Sequence, residues 1–195
     1  MSGSEPYVLT DVSDGVATLT LNNPDERNTL TAPMVAQILE AMDAFEADEG
    51  VGALVVTGTP PAFCAGANLA LILELAKRKQ FDIIEQVSKT LQDITQFIKY
   101  APFPVVAAPF SMTLGGGFEM VAPCRQIVAL AELYCGAVEV GVGLIPGAGG
   151  NLRVLEHFLE MMPPKKLGPM MAVQKAFETI AFAKVSTSAH HAKKL

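Results

Sequence analysis

Three glycine-rich stretches limit most strongly what this chain can fold into. They are AFCAGANL at residues 62–69, TLGGGFEM at 113–120 and AVEVGVGLIPGAGG at 137–150, and each has glycine or alanine where a loop is predicted to leave a strand. Because glycine has no Cβ, a backbone N–H in such a loop can approach a ligand atom closely. Two such N–H groups that converge on one carbonyl oxygen make an oxyanion hole. The sequence therefore predicts a site built in part from main-chain donors.

Alternating strand and helix patterns surround these loops. Apolar and β-branched runs predict strands at residues 15–23, 52–58, 103–110 and 125–130. Helical spacing predicts a helix over 31–48 capped by Thr31, a helical region over 70–99 divided near Lys79 and Gln80, and a short helix over 115–123 ended by Pro123. This repetition of strand, loop and helix indicates an α/β domain with its site at the ends of strands.

The character of the chain changes after Gly150. Residues 1–150 are predicted to form the α/β core domain. Residues 151–195 are predicted to form a short helical C-terminal segment, because Met and Phe recur there at helical spacing around a Pro-Pro and a Gly-Pro break.

Two glutamates lie inside the second and third glycine-rich stretches. Glu119 and Glu139 are both flanked by apolar residues, where an unpaired carboxylate is costly and tends to be protonated or functional. Two carboxyl groups brought to one pocket can act as a general acid and a general base. Either glutamate alone could be a surface residue, but their occurrence together with the glycine-rich loops favours a catalytic pair.

The sequence disfavours both nucleotide binding and metal binding. The chain has neither G-x-G-x-x-G with an acidic residue about 20 positions later nor the Gly-Lys-Ser/Thr of a phosphate-binding loop. The three histidines, His157, His190 and His191, show no ligand spacing with acids or cysteines, so no metal site is predicted.

Composition excludes two classes of partner. With 20 acidic against 14 basic residues and a net charge of −6, the chain lacks the basic surface that nucleic acid requires. Its longest apolar stretches fall well short of the roughly 18 residues of a membrane span.

The cysteines, Cys64, Cys124 and Cys135, are odd in number and lack C-x-x-C spacing, which predicts a reduced, cytoplasmic protein.

The three glycine-rich stretches, in this order, resemble the crotonase superfamily and specifically its enoyl-CoA hydratases. The likeness runs from about Tyr7 to about Leu155. It implies the crotonase (ClpP/crotonase-like) fold, a spiral of repeated ββα units followed here by the helical C-terminal segment. It also implies an acyl-CoA thioester as substrate, with no metal or redox cofactor, because coenzyme A is part of the substrate.

The resemblance assigns roles to four residues. The backbone N–H groups of Ala67 and Gly116 would hold the thioester oxygen. Glu119 would activate water for attack at Cβ, and Glu139 would exchange the proton at Cα. This scheme hydrates a 2-enoyl-CoA to a 3-hydroxyacyl-CoA, as in fatty-acid β-oxidation.

The turn NPDERNTL at residues 23–30 resembles the family's segment at the adenine end of CoA. There Arg27 could meet phosphate, and the backbone near Thr29 and Ala65 could meet the base. An arginine in a solvated turn is the alternative for Arg27.

The sequence departs from the family in two places. Asn68 stands where the family commonly has aspartate. Stand-alone hydratases also continue for several helices that help bind CoA and build a trimer or hexamer. Here the stretches at residues 107–158 and 176–195 look more like the hydratase module of bifunctional 3-hydroxyacyl-CoA dehydrogenases. Two alternatives to a homo-oligomeric hydratase therefore stay open: a Δ3,Δ2-enoyl-CoA isomerase, which can work with Glu139 alone, and a non-catalytic acyl-CoA-binding subunit.

Overall fold

The computed structural model describes residues 5–161 and 168–195. The strands are β1 (Val8–Ser13), β2 (Val16–Leu21), β3 (Ala53–Gly58), β4 (Val105–Ala107), β5 (Ser111–Leu114), β6 (Gln126–Ile127) and β7 (Leu133–Gly136). The helices are α1 (Ala32–Ala47), α2 (Leu69–Lys77), α3 (Phe81–Tyr100), α4 (Gly116–Val121), α5 (Gly150–Met161), α6 (Met170–Ala181) and α7 (Ala189–Ala192), with short 3-10 helices at Pro24–Glu26 and Glu139–Val142. The α/β class predicted from the sequence is confirmed.

Five strands form the main sheet in the order β1-β2-β3-β4-β6. β1 pairs with β2 antiparallel, and the remaining neighbours in this sheet are parallel. β5 and β7 form a separate parallel pair. A parallel bridge between Cys64 and Thr113 joins the loop after β3 to β5, so the first two glycine-rich stretches, which these segments carry, lie side by side.

Helix α1 covers the core with the apolar face that its sequence predicts. Met34, Ile38, Met42 and Phe45 are all buried. Thr31 occupies the N-cap position, but its side chain makes no capping hydrogen bond, and its buried Oγ1 has no partner in the part of the chain that the structure describes. Thr31 is therefore at the predicted N-cap position, but its side chain does not supply the predicted capping hydrogen bond.

The region predicted to be two helices divides where expected. α2 ends at Lys77 and α3 begins at Phe81, so the break spans residues 78–80. Asn68 caps α2, since its Oδ1 accepts a hydrogen bond from the N–H of Leu71 at 3.0 Å. An aspartate oxygen could make the same bond, so asparagine and aspartate would serve equally as the cap of α2.

Other predicted elements differ from the structure in extent. The strand predicted over 125–130 is reduced to the two exposed residues of β6, while β1, β5 and β7 were not predicted as strands. The helix predicted over 115–123 is α4, and it ends before Pro123 as expected. The described part of the C-terminal segment is helical, in α5, α6 and α7. None of the helices within the described ranges is both long and apolar enough to cross a membrane.

Candidate active site

Two glycine-rich loops lie side by side at the ends of β3 and β5. The N–H of Cys64 donates to the carbonyl of Met112 at 3.0 Å, and the N–H of Leu114 donates back to the carbonyl of Cys64 at 3.0 Å. Each loop then turns at a glycine with positive φ, Gly66 at +101° and Gly115 at +53°. These conformations suit glycine, so the two loops can turn together at the same point.

The turns bring the N–H groups of Ala67 and Gly116 next to each other. A Cβ placed on Gly66 would stand 3.5 Å from the backbone nitrogen of Gly116. A Cβ placed on Gly116 would stand 3.7 Å from the backbone nitrogen of Ala67. Within the described ranges, neither N–H donates to a protein acceptor. Two neighbouring donors without acceptors are the arrangement that an oxyanion hole requires.

Glu119 lies on α4, three residues beyond Gly116, and is 4% exposed. Its Oε1 accepts hydrogen bonds from the N–H of Ala148 at 2.9 Å and from the N–H of Gly150 at 2.8 Å. Burial raises the pKa of Glu119, and these two N–H groups oppose the rise. The carboxyl group is therefore desolvated but fixed in orientation.

Glu139 begins the 3-10 helix that follows β7, and it is half-buried. Its Oε2 is buried and has no hydrogen-bond partner within the described part of the chain. Burial raises the pKa of Glu139 to about 7; the negative charge of Glu119 adds to the rise, while the N–H groups of Glu139 and Val138 oppose it. The structure thus brings the two predicted glutamates within electrostatic reach of each other.

The glutamates also lie beside the free N–H pair. A Cβ on Gly115 would stand 3.2 Å from Oε1 of Glu139, and Gly115 directly precedes the donor Gly116. Two carboxyl groups with raised pKa values next to a carbonyl-binding pair of N–H groups can move protons on the carbons beside a bound carbonyl.

The turn at residues 23–30 packs against the first glycine-rich loop. The N–H of Ala65 donates to the carbonyl of Arg27 at 3.0 Å, so this N–H is already used within the protein. Thr29 Oγ1 donates to the carbonyl of Glu26 at 2.7 Å. Arg27 is exposed. The structure places these three residues together, at the edge of the loop that carries Ala67.

The sequence analysis did not identify Asn28, which joins this turn to the loop after β3. It is fully buried; its Oδ1 accepts from the N–H of Asn23 at 2.7 Å, and its Nδ2 donates to the carbonyls of Thr59 and Ala62, each at 2.8 Å. Its φ of +54° is a conformation that asparagine tolerates better than most residues. An asparagine in a Pro- and Asp-containing turn was the available signal.

Two side chains of α3 hold the third glycine-rich stretch, and they too were not predicted. Gln92 Nε2 donates to the carbonyl of Gly147 at 2.7 Å, and Thr95 Oγ1 donates to the carbonyl of Ala148 at 2.7 Å. The loop that supplies both N–H donors to Glu119 is therefore anchored from its other side.

An apolar cavity of about 570 Å³ lies beside α4. Phe118 and Val121 of α4 line it, together with residues of β6, β7 and α5 to α7, but neither glutamate does. The three cysteine thiols have their pKa values raised by burial to about 12, so they are poor nucleophiles at neutral pH. Glu119 and Glu139 therefore stay the candidate reactive groups.

Comparison with known proteins agrees with this geometry. The chain matches the family model described as enoyl-CoA hydratase/isomerase over residues 11–166. It is 40% identical over 187 residues to a Bacillus subtilis (strain 168) protein named "Probable 3-hydroxyacyl-CoA dehydrogenase", a match that covers 96% of this chain and 23% of that protein. It is 33% identical over 150 residues to the "Probable enoyl-CoA hydratase" of Rhizobium meliloti (strain 1021), covering 75% of this chain and 55% of that protein. The chain thus spans less than two thirds of the length of these relatives.

Solved structures show the same likeness. The crystal structure of an enoyl-CoA hydratase from Mycobacterium smegmatis superposes with a TM-score of 0.80 at 29% identity, covering 98% of this chain and 68% of that one. This confirms the crotonase fold implied by the sequence resemblance. The dehydrogenase-named relative is consistent with the likeness of the C-terminal part to bifunctional chains.

Proposed function

The chain belongs to the enoyl-CoA hydratase/isomerase family of the crotonase superfamily, and from this premise we propose that it adds water across the 2,3 double bond of a 2-enoyl-CoA to give a 3-hydroxyacyl-CoA, as in fatty-acid β-oxidation. The observation that carries the proposal is the meeting of Glu119 and Glu139 beside the free N–H groups of Ala67 and Gly116. A site with one carboxyl group would fit an isomerase, which only transfers protons, as well as a hydratase, which adds water.

In the proposed reaction the thioester oxygen accepts hydrogen bonds from Ala67 and Gly116. These donors stabilise the negative charge that develops there when the double bond is attacked, so they act more strongly on the transition state than on the substrate. Glu119, ionised, takes one proton from water as the water oxygen bonds to Cβ. The π electrons move towards the thioester oxygen and return to Cα, which takes a proton from Glu139.

The two glutamates suit these different roles. Oε1 of Glu119 is held by two N–H groups, which favour its ionised form. Oε2 of Glu139 has no partner among the described residues, and the pKa of that residue is raised to about 7. At neutral pH Glu139 can therefore carry the proton that Cα receives. The proton taken by Glu119 passes to solvent and Glu139 is reprotonated, which restores the starting state. Attack by water and two proton transfers complete the reaction without net oxidation or reduction, so the proposal requires no metal or redox cofactor.

We further propose that Arg27 binds a phosphate of CoA, with the backbone at Thr29 and Ala65 near the base. The exposure of Arg27 and its place beside the Ala67 loop support this role. Replacement of Arg27 by alanine should raise KM for the CoA thioester and leave kcat within about twofold. A lowered kcat at unchanged KM would contradict this assignment.

A homo-oligomer, a trimer or hexamer, is also part of the proposal. Large apolar side chains are exposed on and just after α6, including Met170, Phe177 and Phe182, and contiguous exposed apolar surface marks association sites. Light scattering on the purified chain tests this, and a monomer at micromolar concentration would contradict it.

The decisive experiment for the reaction is hydration of crotonyl-CoA, followed as loss of the enoyl-thioester absorbance. We expect turnover by the wild-type chain and a loss of about 10² or more in kcat for Glu139→Gln. Glu156→Gln is a matched control, because Glu156 is a partly exposed glutamate of α5 that pairs with Arg153. Acyl-CoA binding without turnover would instead favour the non-catalytic subunit.

A further inference from the structure

Helix α3 contacts the loop at residues 147–150 through two polar side chains. Neither side chain takes a direct part in the proposed reaction. α3 packs on α4, the helix that carries Glu119. From α3, Gln92 Nε2 reaches the carbonyl of Gly147 and Thr95 Oγ1 reaches the carbonyl of Ala148, both at 2.7 Å. Thr95 is only 5% exposed, so its hydroxyl is committed to bonds within the protein.

The bond from Gln92 acts on the same peptide unit that binds Glu119. The carbonyl of Gly147 and the N–H of Ala148 belong to one peptide group, and this N–H donates to Oε1 of Glu119 at 2.9 Å. A donor on the carbonyl polarises the peptide and makes its N–H a stronger donor. Gln92, the peptide and Glu119 therefore form a continuous hydrogen-bond chain.

The bond from Thr95 holds the next peptide unit. Ala148 is 3% exposed, and among the described residues its carbonyl has no donor other than Thr95. Loss of that donor would leave a buried carbonyl unsatisfied, so the loop would shift to find another partner. Such a shift would move the N–H groups of both Ala148 and Gly150 relative to Glu119.

A local role is the alternative for Thr95, because its Oγ1 also lies 2.9 Å from the carbonyl of Gln92, one turn earlier on α3. A hydroxyl has one proton and donates to one acceptor at a time. The contact with Ala148 is the shorter one, and it joins positions 53 residues apart in the chain. The contact with Ala148 is therefore the one through which this hydroxyl can hold the loop, and the variants below test it.

We propose that Thr95 and Gln92 are positioning residues, which hold the loop at 147–150 so that its two N–H groups fix the carboxylate of Glu119 for proton transfer. The catalytic consequence rests on the proposed function, but the control of the Glu119 carboxylate does not. If the hydrogen bonds from the loop weaken, the ionised form of Glu119 loses stabilisation and its pKa rises.

Other charged groups near Glu119 stay the same in the test variants. Glu139 faces it from the 3-10 helix, Asp93 on α3 is exposed, and Arg153 on α5 pairs with Glu156. A change in titration caused by Thr95→Val is therefore assignable to the loop.

The experiment is a titration of the Glu119 carboxyl carbon by ¹³C NMR, assigned by its loss in Glu119→Gln. Thr95→Val keeps the shape and removes the donor, and Thr95→Ser restores it. Thr90→Val is the matched control, because among the described residues the side chain of Thr90, on the same helix, bonds only to the carbonyl of Gln86. We expect the pKa of Glu119 to rise by about 0.5 or more in Thr95→Val and to return towards the wild-type value in Thr95→Ser.

Activity supplies the second readout. In Thr95→Val the acid limb of the pH profile for crotonyl-CoA hydration should move to higher pH by the same amount, with kcat about tenfold lower and KM within about twofold. Thr90→Val should behave as wild type. If Thr95→Val does not fold, Gln92→Met, which changes an exposed side chain, should shift the pKa of Glu119 in the same direction.

The outcomes separate the two proposals. An unchanged pKa of Glu119 and an unchanged kcat in Thr95→Val and Gln92→Met overturn the positioning role. A wild-type chain that does not hydrate crotonyl-CoA, combined with a raised pKa in Thr95→Val, overturns the proposed function and leaves the positioning role supported.

Discussion

The carboxylate of Glu119 and the backbone N–H of Gly150 are joined by a hydrogen bond of 2.8 Å. Gly150 is the first residue of α5, and a Cβ added to it would stand 2.9 Å from the same carboxylate oxygen. A side chain at this position would therefore displace the carboxylate that the backbone binds. The first residue of α5 thus fits closely against Glu119. The orientation of the Glu119 carboxylate therefore depends on the position of the start of α5 as well as on α4, which carries Glu119.

Glu119→Gln should separate water addition from proton transfer. Glutamine keeps an oxygen that can accept from Ala148 and Gly150, so the fold is retained, but it cannot take a proton from water. We expect crotonyl-CoA hydration to fall about 10²-fold or more. Isomerisation of a 3-enoyl-CoA, which Glu139 alone can support, should fall far less. Equal losses in the two assays would mean that Glu119 has no specific role in activating water.

The raised pKa of Glu139 predicts a pH dependence of stability. In the folded chain this carboxyl has a pKa of about 7 against 4.5 for an ordinary glutamate, so between these values the folded state binds more protons than the unfolded state. Its contribution to stability is therefore full below about pH 4.5 and is lost as the pH rises to about 7. The difference corresponds to about 3 kcal/mol in the free energy of unfolding.

Glu139→Gln tests this directly, because glutamine resembles the protonated acid at every pH. Urea unfolding at pH 5 and pH 8 should show the variant to be more stable than wild type at pH 8, and close to wild type at pH 5. Apart from Glu119, which interacts electrostatically with Glu139, the other titrating groups contribute equally to both proteins and cancel in the comparison. The same pH dependence in both proteins would show that Glu139 is not desolvated on folding.

Much of the fold could be predicted because its elements carry local signals. The apolar face of α1 and the alternation along β2 and β3 follow from burial on one side, which leaves a periodic trace in the sequence. β1 is an edge strand with five of its six residues exposed, and β5 and β7 have four residues each. Strands of this kind lack a clear period and are defined by their partners.

The residues of the candidate site also differ in whether the sequence alone could identify them. Glu119 and Glu139 could be found because a carboxylate among apolar residues and glycines is unusual in itself. Thr95 and Asn28 could not, because each acts through a hydrogen bond to a backbone carbonyl more than 30 positions away. Threonine in a helix and asparagine in a turn are ordinary locally, and only the tertiary fold shows what they hold.

Gly115→Ala should damage the site beyond its effect on the backbone. Gly115 has a positive φ, and an added Cβ would stand 3.2 Å from Oε1 of Glu139, so this carboxyl would have to move. Gly143→Ala is the matched control, since Gly143 also has a positive φ but a Cβ there meets nothing within 4 Å. Both variants should lose about 1 kcal/mol of stability, and only Gly115→Ala should lose activity with crotonyl-CoA, by about tenfold or more. Comparable kcat values in the two variants would rule out the contact with Glu139 as the cause.

Asn28→Ala should be among the most destabilising single changes in the described part of the core. It removes an acceptor from the N–H of Asn23 and a donor from two carbonyls, those of Thr59 and Ala62. Leaving such buried groups unsatisfied costs about 2–4 kcal/mol in the free energy of unfolding, measured by urea titration.

Two further variants separate the causes of that loss. Asn28→Gly removes the same side chain but suits the positive φ, so it should be less damaging than Asn28→Ala by about 1 kcal/mol. Asn22→Ala removes an exposed bond to the carbonyl of Pro6 and should cost less than about 1 kcal/mol. Because Asn28 joins the turn at 23–30 to the loop that leads to Ala67, its loss should also raise KM for the CoA thioester. A stable Asn28→Ala variant with unchanged KM would show that this turn needs no anchor to the loop.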